Sequence, residues 1–140
     1  MLSRHVIAGI ERPAMIALKL YDPMLFVGMA WDVAFHPDFE AEFAGLAEAV
    51  QDELLQHAGL LAAVGPSLGR PTVDTIKGSR IANLKELRFA AEGGVWRVLF
   101  AFNRQRIAVL PVAGDKRGRS ESRFYQRLIV VAEQRRKIWE

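Results

Sequence analysis

Three apolar segments joined by very short connections constrain the fold of this chain more than any other feature. They span residues 83–90, 95–102 and 106–112 and are rich in β-branched and aromatic side chains. Glu92-Gly93-Gly94 separates the first two, and Asn103-Arg104-Gln105 separates the second from the third. Parallel strands need a crossover of a dozen or more residues, which these connections cannot provide. The sequence therefore predicts an antiparallel three-stranded meander.

A strand and a helical region are expected before the meander. Alternating apolar and polar residues predict a short edge strand over 30–35. Apolar residues then recur at intervals of three, four and seven over 38–64, which is typical of an amphipathic helix. Gly45 and Gly59 interrupt this pattern. We expect either one long helix or two helices broken at one of these glycines.

The rest of the chain predicts a loop and a final helix. Residues 65–78 are rich in glycine and proline and are expected to form a loop. Ser120 or Ser122 can cap a C-terminal helix. The predicted order is an N-terminal strand, one or two helices, a three-stranded antiparallel meander and a C-terminal helix. This is an α+β fold, and we expect its helices on one face of the sheet.

The composition argues against disulfide-rich and metal-dependent classes of protein. The 140 residues suit one domain and include no cysteine, which removes disulfides, thiolate zinc sites and cysteine nucleophiles. His5, His36 and His57 are too far apart to form a ligand pair at helical or hairpin spacing. We expect no metal site and no cofactor, and we expect the protein to be cytoplasmic.

The first 28 residues are interpreted as an extension outside the core domain, which is expected to span 29–140. A secretory signal needs an unbroken apolar stretch of roughly 7 to 15 residues. Charged residues and two prolines interrupt the apolar residues here, and no stretch approaches the roughly 20 apolar residues of a membrane span. The extension is expected to be sensitive to proteolysis, and a start site at Met29 would explain it.

The two halves of the chain carry opposite charge. Residues 70–140 contain 16 Lys and Arg against 7 Asp and Glu, whereas residues 1–69 contain 3 against 9. Such asymmetry is typical of a nucleic-acid-binding face on an otherwise acidic scaffold. An alternative is that the two halves attract each other within the folded protein.

A group of cations on the meander is the main candidate site. Side chains alternate faces along a strand, so Glu86 and Arg88 share one face, and Arg97 points away from the apolar residues of its strand. We expect Arg97 on the sheet face that the helices leave open. A single strand arginine is most often only solvated, but its neighbours here support a site. The nearby loop cations and the nearby tyrosine are Lys116, Arg117, Arg119 and Tyr125.

These residue types suit cleavage of a phosphodiester without a metal. The charge that develops on the phosphorane oxygens needs fixed donors, and the attacking 2′-hydroxyl must lose a proton. Arg97 and Arg88 can bind a phosphate in bidentate fashion, and Lys116 or Arg117 can add a positive charge. Glu86 is the candidate base. A basic sheet that only binds RNA would carry similar residues.

From about Trp31 to its C-terminus the chain resembles the RelE/HigB-like toxins of bacterial toxin–antitoxin pairs, within the RelE/ParE superfamily. The likeness is to the phage-derived HigB-like branch and depends on the order and spacing of several short segments. These segments are Gly65-Pro66-Ser67-Leu68-Gly69-Arg70-Pro71, Asn83-Leu84-Lys85-Glu86-Leu87-Arg88, Trp96-Arg97-Val98-Leu99-Phe100-Ala101-Phe102, and Ala113-Gly114-Asp115-Lys116 followed by Arg123-Phe124-Tyr125.

The resemblance implies a RelE-like fold and a ribosome-dependent messenger RNA endoribonuclease that inhibits translation. In that family a strand arginine, here Arg97, binds the scissile phosphate, and a basic residue before the last helix corresponds to Lys116 or Arg117. An aromatic residue that stacks on a base in some members corresponds to Tyr125. Glu86 stands where some members have a catalytic lysine, which favours Glu86 as the base or a weaker toxin. The remaining RNA-binding candidates are Lys85, Arg119 and Arg123.

The resemblance also implies partners and leaves alternatives open. A cognate antitoxin, often of helix-turn-helix type, is expected to cover the basic face, and messenger RNA and the ribosome are the expected targets. A ParE-like inhibitor of DNA gyrase would use the same fold and should tolerate Arg97→Ala. A non-catalytic phage-derived binding protein would cause no growth arrest.

Overall fold

The computed structural model describes residues 31–139, and the predicted extension 1–28 and the start of the first predicted strand at residue 30 lie outside them. The helices and strands, numbered in chain order, are β1 (Asp32–Phe35), α1 (Pro37–Ala44), α2 (Glu48–Val64), β2 (Val73–Thr75), β3 (Lys85–Ala91), β4 (Gly94–Phe102), β5 (Ile107–Asp115) and α3 (Glu121–Gln134). The α+β class is confirmed.

One mixed sheet contains all five of these strands, in the order β1-β5-β4-β3-β2. The strands β3, β4 and β5 form the predicted antiparallel meander, and β1 pairs in parallel with β5 at one edge. Residues 73–75, predicted as loop, instead form the opposite edge strand β2, antiparallel to β3. The prediction of a sheet without this strand was wrong.

The turn between β3 and β4 explains why these strands form a tight hairpin. Glu92 and Gly93 both have positive φ, at 53° and 73°. A two-residue connection with both residues in the left-handed region twists in the sense that matches the flanking strands. This turn fixes the register that places Arg88 directly opposite Arg97.

The helical region divides at Gly45, one of the two predicted positions. The helix α1 starts at Pro37, where the His36 Nδ1 atom accepts a hydrogen bond from the Asp38 backbone N–H at 3.0 Å. Proline suits the first turn because a backbone N–H at this position would have no acceptor within the helix, so its absence from proline costs nothing. None of the helices in the range 31–139 is long and apolar enough to cross a membrane.

Helices cover both faces of the sheet. On the face of α1 and α2 the core includes Phe35, Leu87 and Phe100. On the other face α3 packs over a second cluster that contains Leu99 and Phe124. The expectation that the helices share one face was therefore wrong. The strand β4 is apolar at consecutive positions because both of its faces are buried.

A bulge in β5 allows this strand to serve both cores. Leu99 pairs with Val112, but Ala101 pairs with Val109, so β5 contains one residue more than β4 over this stretch. The extra residue lets Leu110 face α1 and α2 while Val112 faces α3.

Arg135 links the end of α3 to α1. Its Nη1 and Nη2 atoms donate to Glu42 Oε1 and Oε2 at 3.1 and 2.7 Å, and Nη1 also donates to the Pro111 carbonyl oxygen at 2.7 Å. The paired hydrogen bonds to Glu42 raise the pKa of Arg135. This bidentate ion pair holds the C-terminal end of α3 against α1.

Candidate active site

Glu86 is at the centre of the candidate site. The strand β3 directs this side chain to the α3 face, where only 5% of the residue is exposed. Arg88, two positions further along β3, points to the same face and lies directly opposite Arg97 on β4. Two cross-strand arginines repel each other unless an anion lies between them. Glu86 supplies that anion.

Tyr125 and Arg97 hold the Glu86 carboxylate in place. The Tyr125 hydroxyl donates to Glu86 Oε1 at 2.6 Å, and Arg97 Nε donates to the Tyr125 hydroxyl oxygen at 3.2 Å. Arg97 Nε also lies 3.5 Å from Glu86 Oε1, and Arg88 Nε lies 3.7 Å from Oε2. The buried negative charge is thus compensated by two guanidinium groups and one hydroxyl, as a buried carboxylate requires.

The environment of Tyr125 keeps its hydroxyl protonated. Burial and the hydrogen bond to Glu86 raise the pKa of Tyr125 to about 12, although the Arg97 hydrogen bond acts in the opposite direction. At neutral pH the phenol is therefore a hydrogen-bond donor. Tyr125 is suited to orient Glu86 and is not suited to act as a base.

An open cavity of about 350 Å³ adjoins the Glu86 carboxylate. Its charged lining residues are Asp74, Lys77, Glu86, Arg88, Lys116 and Glu121. Three cations and three anions balance each other, so the cavity is less positive than the basic C-terminal half of the chain suggests. Any anion that enters must compete with carboxylates of the protein itself.

Lys116 forms the side of the cavity next to α3. Its Nζ atom is 3.3 Å from Glu121 Oε1 and 5.9 Å from the centre of the Tyr125 ring. The Lys116 backbone N–H donates to the Val95 carbonyl oxygen at 2.7 Å, which fixes the residue to the start of β4. The Lys116 side chain is 21% exposed and that of Glu121 is 74% exposed, so this ion pair lies at the surface.

Asp74 supplies a second carboxylate that the sequence did not indicate. It lies on β2 directly opposite Glu86, and its Oδ2 atom is 3.1 Å from Arg70 Nη2 and 3.8 Å from Arg88 Nη1. The side-chain hydrogen bond from Arg70 lowers the pKa of Asp74. Arg88 therefore lies between two carboxylates. Asp74 could have been found from the sequence only if residues 73–75 had been identified as a strand next to β3.

Comparison with known proteins identifies the family. The family model for phage-derived Gp49-like proteins matches residues 41–137 of the chain. The chain belongs to this Gp49-like family. The match includes every member of the site described above, from Arg70 to Tyr125.

Two relatives of this Gp49-like protein are toxins by name, both from Mycobacterium tuberculosis. "Putative toxin HigB3" is 40% identical over 103 residues, which cover 74% of this chain and 88% of the relative. "Putative toxin HigB2" is 45% identical over 71 residues, which cover 50% of this chain and 35% of the relative. No solved structure matches the chain. The resemblance to HigB-like toxins is thereby confirmed.

The structure of the Gp49-like protein corrects the position expected for Arg97. This residue does not lie on an open face, because α3 covers it and leaves only 6% of it exposed. Its Nη1 atom donates to the Trp96 carbonyl oxygen at 2.9 Å. Arg97 is therefore a partner of Glu86 and Tyr125 behind the cavity, and it does not line the cavity itself.

The remaining predicted residues lie outside the Glu86 cavity. Arg117 pairs with Asp115 at 3.3 Å and approaches the Glu92 carbonyl oxygen above the β3–β4 turn. Lys85 lies on the α1 and α2 side of β3 and donates to the Pro66 carbonyl oxygen at 3.0 Å. Arg119 and Arg123 line a separate depression of about 250 Å³ at the start of α3, together with Ser120, Phe124 and Arg127. Among residues 31–139 no cluster of three or more His, Asp or Glu side chains could hold a metal ion.

Proposed function

We propose that this protein is the toxin of a toxin–antitoxin pair and that it cleaves messenger RNA on the ribosome, without a metal, so that translation stops. The relatives named as HigB toxins support the toxin assignment. One observation carries the proposed reaction. Glu86, a buried carboxylate, is oriented by Tyr125 and compensated by Arg88 and Arg97 beside an open cavity that Lys116 also lines.

Lys116 and Arg88 would bind the scissile phosphate. Both line the cavity, and a phosphate can replace Glu121 beside Lys116 and Asp74 beside Arg88, while Glu86 stays next to Arg88. The Lys116–Glu121 pair is at the surface, where such pairs contribute only about 0–1 kcal/mol. Displacing Glu121 therefore costs little. A phosphate has more acceptor oxygens than a carboxylate, so one phosphate could bind Lys116 and Arg88 together.

Glu86 would act as the base, and Arg97 would position it. In the proposed step the ribose 2′-hydroxyl gives its proton to Glu86 while its oxygen attacks phosphorus. The bond from phosphorus to the 5′-oxygen breaks, and Lys116 gives that oxygen a proton, which leaves a 2′,3′-cyclic phosphate. Tyr125 keeps its proton throughout, because its pKa is about 12. The cations of the chain supply the stabilisation of the pentavalent phosphorus.

The proposal includes a cognate antitoxin as partner, of helix-turn-helix type, and action in the cytoplasm, where ribosomes are found. Arg119, Arg123 and Arg127 are exposed near the start of α3, and they line the depression described above. An acidic segment of the antitoxin would complement these cations and block access of RNA to the cavity.

Growth assays and purified translation reactions test the proposal. We would compare wild type with Glu86→Gln and Lys116→Ala, and use Glu48→Gln, an exposed change of the same chemistry on α2, as control. Loss of a general base slows cleavage by about 100-fold or more. The wild type and the control should therefore arrest growth and give new RNA 5′ ends in the translation reactions, whereas Glu86→Gln should do neither.

Other outcomes would contradict the reaction. Growth arrest that Glu86→Gln and Lys116→Ala both retain, together with loss of DNA supercoiling, would show a gyrase inhibitor. No arrest by wild type would leave a non-catalytic binding protein. Lys116 lies at the rim of the site, so the Lys116→Ala result remains interpretable if Glu86→Gln lowers the stability of the fold.

A further inference from the structure

A second cavity, of about 280 Å³, lies at the opposite end of the α3 face from Glu86. Three arginines line it, one each from the loop before β3, the β4–β5 turn and the segment after α3. Its lining residues are Arg80, Ile81, Ala82, Ala101, Phe102, Asn103, Arg104 and Arg136. No carboxylate is among these residues, whereas the Glu86 cavity contains three. The two cavities therefore differ in charge, and the second is the more attractive one for an anion.

The backbone that carries these arginines is held in place by neighbouring side chains. Glu133 Oε2 accepts hydrogen bonds from the Arg80 backbone N–H at 2.8 Å and from Ser79 Oγ at 3.2 Å. Asn103 Oδ1 accepts from the Gln105 backbone N–H at 2.9 Å and so closes the turn that carries Arg104. The contacts of Glu133 here are to a backbone amide and a hydroxyl. In the described part of the chain no ion pair forms to Arg80 or Arg104.

The walls of the cavity combine charge with apolar surface. Arg80 and Arg104 are exposed at the rim, while buried Ala101 and half-buried Ile81 give the cavity an apolar floor on the α3 side. A phosphate needs the guanidinium groups, and a nucleoside can cover the apolar floor. The volume is close to the lower end of pockets for small ligands, about 300 Å³. Bare inorganic phosphate would leave most of this floor uncovered.

We propose that Arg80, Arg104 and Arg136 form a binding site for the phosphate of a nucleotide, separate from the Glu86 cavity, and that its main occupant is a nucleotide within an RNA chain. Arg97 and Phe102 are five positions apart on β4, which corresponds to about 17 Å along a strand. One RNA segment could therefore contact both cavities. This inference goes beyond the proposed cleavage, because the site contributes affinity and takes no part in the chemistry.

Salt-dependent RNA binding tests this site. We would use the full chain and a short single-stranded RNA with 2′-O-methyl riboses, which cannot be cleaved through the 2′-oxygen. Each phosphate contact on single-stranded RNA contributes about 0.7 to the slope of log affinity against log salt. The double variant Arg80→Ala/Arg104→Ala should reduce that slope by about 0.7, because the site binds one phosphate. Lys137→Ala removes one positive charge outside the cavity and should leave the slope nearly unchanged. The variant Arg80→Lys/Arg104→Lys keeps both charges and should retain most of the slope.

A second measurement distinguishes RNA from free nucleotides. Adenosine 5′-monophosphate would be titrated against the amide NMR signals of residues 81–82 and 101–104. If adenosine 5′-monophosphate gives a saturable shift of these amide signals and the double alanine variant loses it, while that variant binds RNA with the wild-type salt slope, the site belongs to free nucleotides. An unchanged slope without any such shift, or an equal effect of Lys137→Ala, would overturn the inference. Because the RNA cannot be cleaved, failure of the ribonuclease proposal would leave this result intact.

Discussion

Replacing Tyr125 by phenylalanine tests whether the hydroxyl stabilises the buried Glu86 carboxylate. The change removes a 2.6 Å hydrogen bond to Glu86 and the acceptor of the Arg97 Nε–H, and it leaves the ring in place. A hydrogen bond to a charged group contributes about 1.5–3 kcal/mol. Arg97 Nε, 3.5 Å from Glu86 Oε1, can move closer and recover a part of this. We therefore expect a loss of about 2 kcal/mol in the free energy of unfolding.

Urea denaturation measures this loss, and thermal unfolding provides a second readout. At roughly 4 °C per kcal/mol for a domain of this size, Tm should fall by about 8 °C. In a double-mutant cycle with Glu86→Gln, the two substitutions should be coupled by more than about 1 kcal/mol. Ser122→Ala removes an exposed hydroxyl from the same helix and should change stability by less than about 0.5 kcal/mol. A loss for Tyr125→Phe no larger than that of the control, or additive effects in the cycle, would refute the reasoning.

The alkaline range provides an independent check on the same hydroxyl. The pKa of Tyr125 is about 12 in the folded protein, against an ordinary value of 10.0. Between these values the unfolded chain releases the phenolic proton and the folded chain keeps it, so stability falls as pH rises. The stabilisation is complete below pH 10 and is lost toward pH 12. Because phenylalanine does not titrate, the stability difference between wild type and Tyr125→Phe should narrow over this window, and a constant difference would contradict the raised pKa.

Three further substitutions test other parts of the structure. Arg135→Ala removes the bidentate contact with Glu42 and should cost about 1–2 kcal/mol in urea denaturation, and less at high salt because salt screens the ion pair. Leu128→Ala leaves a cavity under α3 and should cost about 2–5 kcal/mol, and a smaller loss would show that α3 packs loosely. Glu121→Gln releases Lys116 from its ion pair and should strengthen binding of uncleavable RNA severalfold, whereas weaker binding would exclude Lys116 as a phosphate ligand.

Local sequence signals predicted the elements that depend on local chemistry. The β3–β4 hairpin was recognisable because Glu92-Gly93 can adopt positive φ in a two-residue turn. Gly45, where the helices divide, is one of the two positions at which the helical pattern allowed a break. By contrast, β2 is only three residues long and has one buried side chain, Val73, so its pattern is too short to distinguish it from a loop.

The position of α3 and the partners of Arg97 depend on contacts between distant parts of the chain. Leu99 and Ala101 are apolar on the same face of β4 as Arg97, which indicates a covered face. This signal was present in the sequence, but Arg97 was interpreted as a sign of exposure. Tyr125 could be named as a candidate from the sequence, whereas its hydrogen bond to Glu86 spans 39 positions and required the folded structure.

The parallel pairing of β1 with β5 affects when the protein can become active during its synthesis. Asp32 pairs with Ile107, across 75 positions of sequence, and within residues 31–139 β5 is the only strand that pairs with β1. The first strand and the helices that follow it must wait for the last strand to leave the ribosome before they can complete their core. The Glu86 site also needs Tyr125 from α3, which is made later still. An incomplete chain therefore lacks the assembled site, so the proposed activity would begin only after synthesis of the chain is finished.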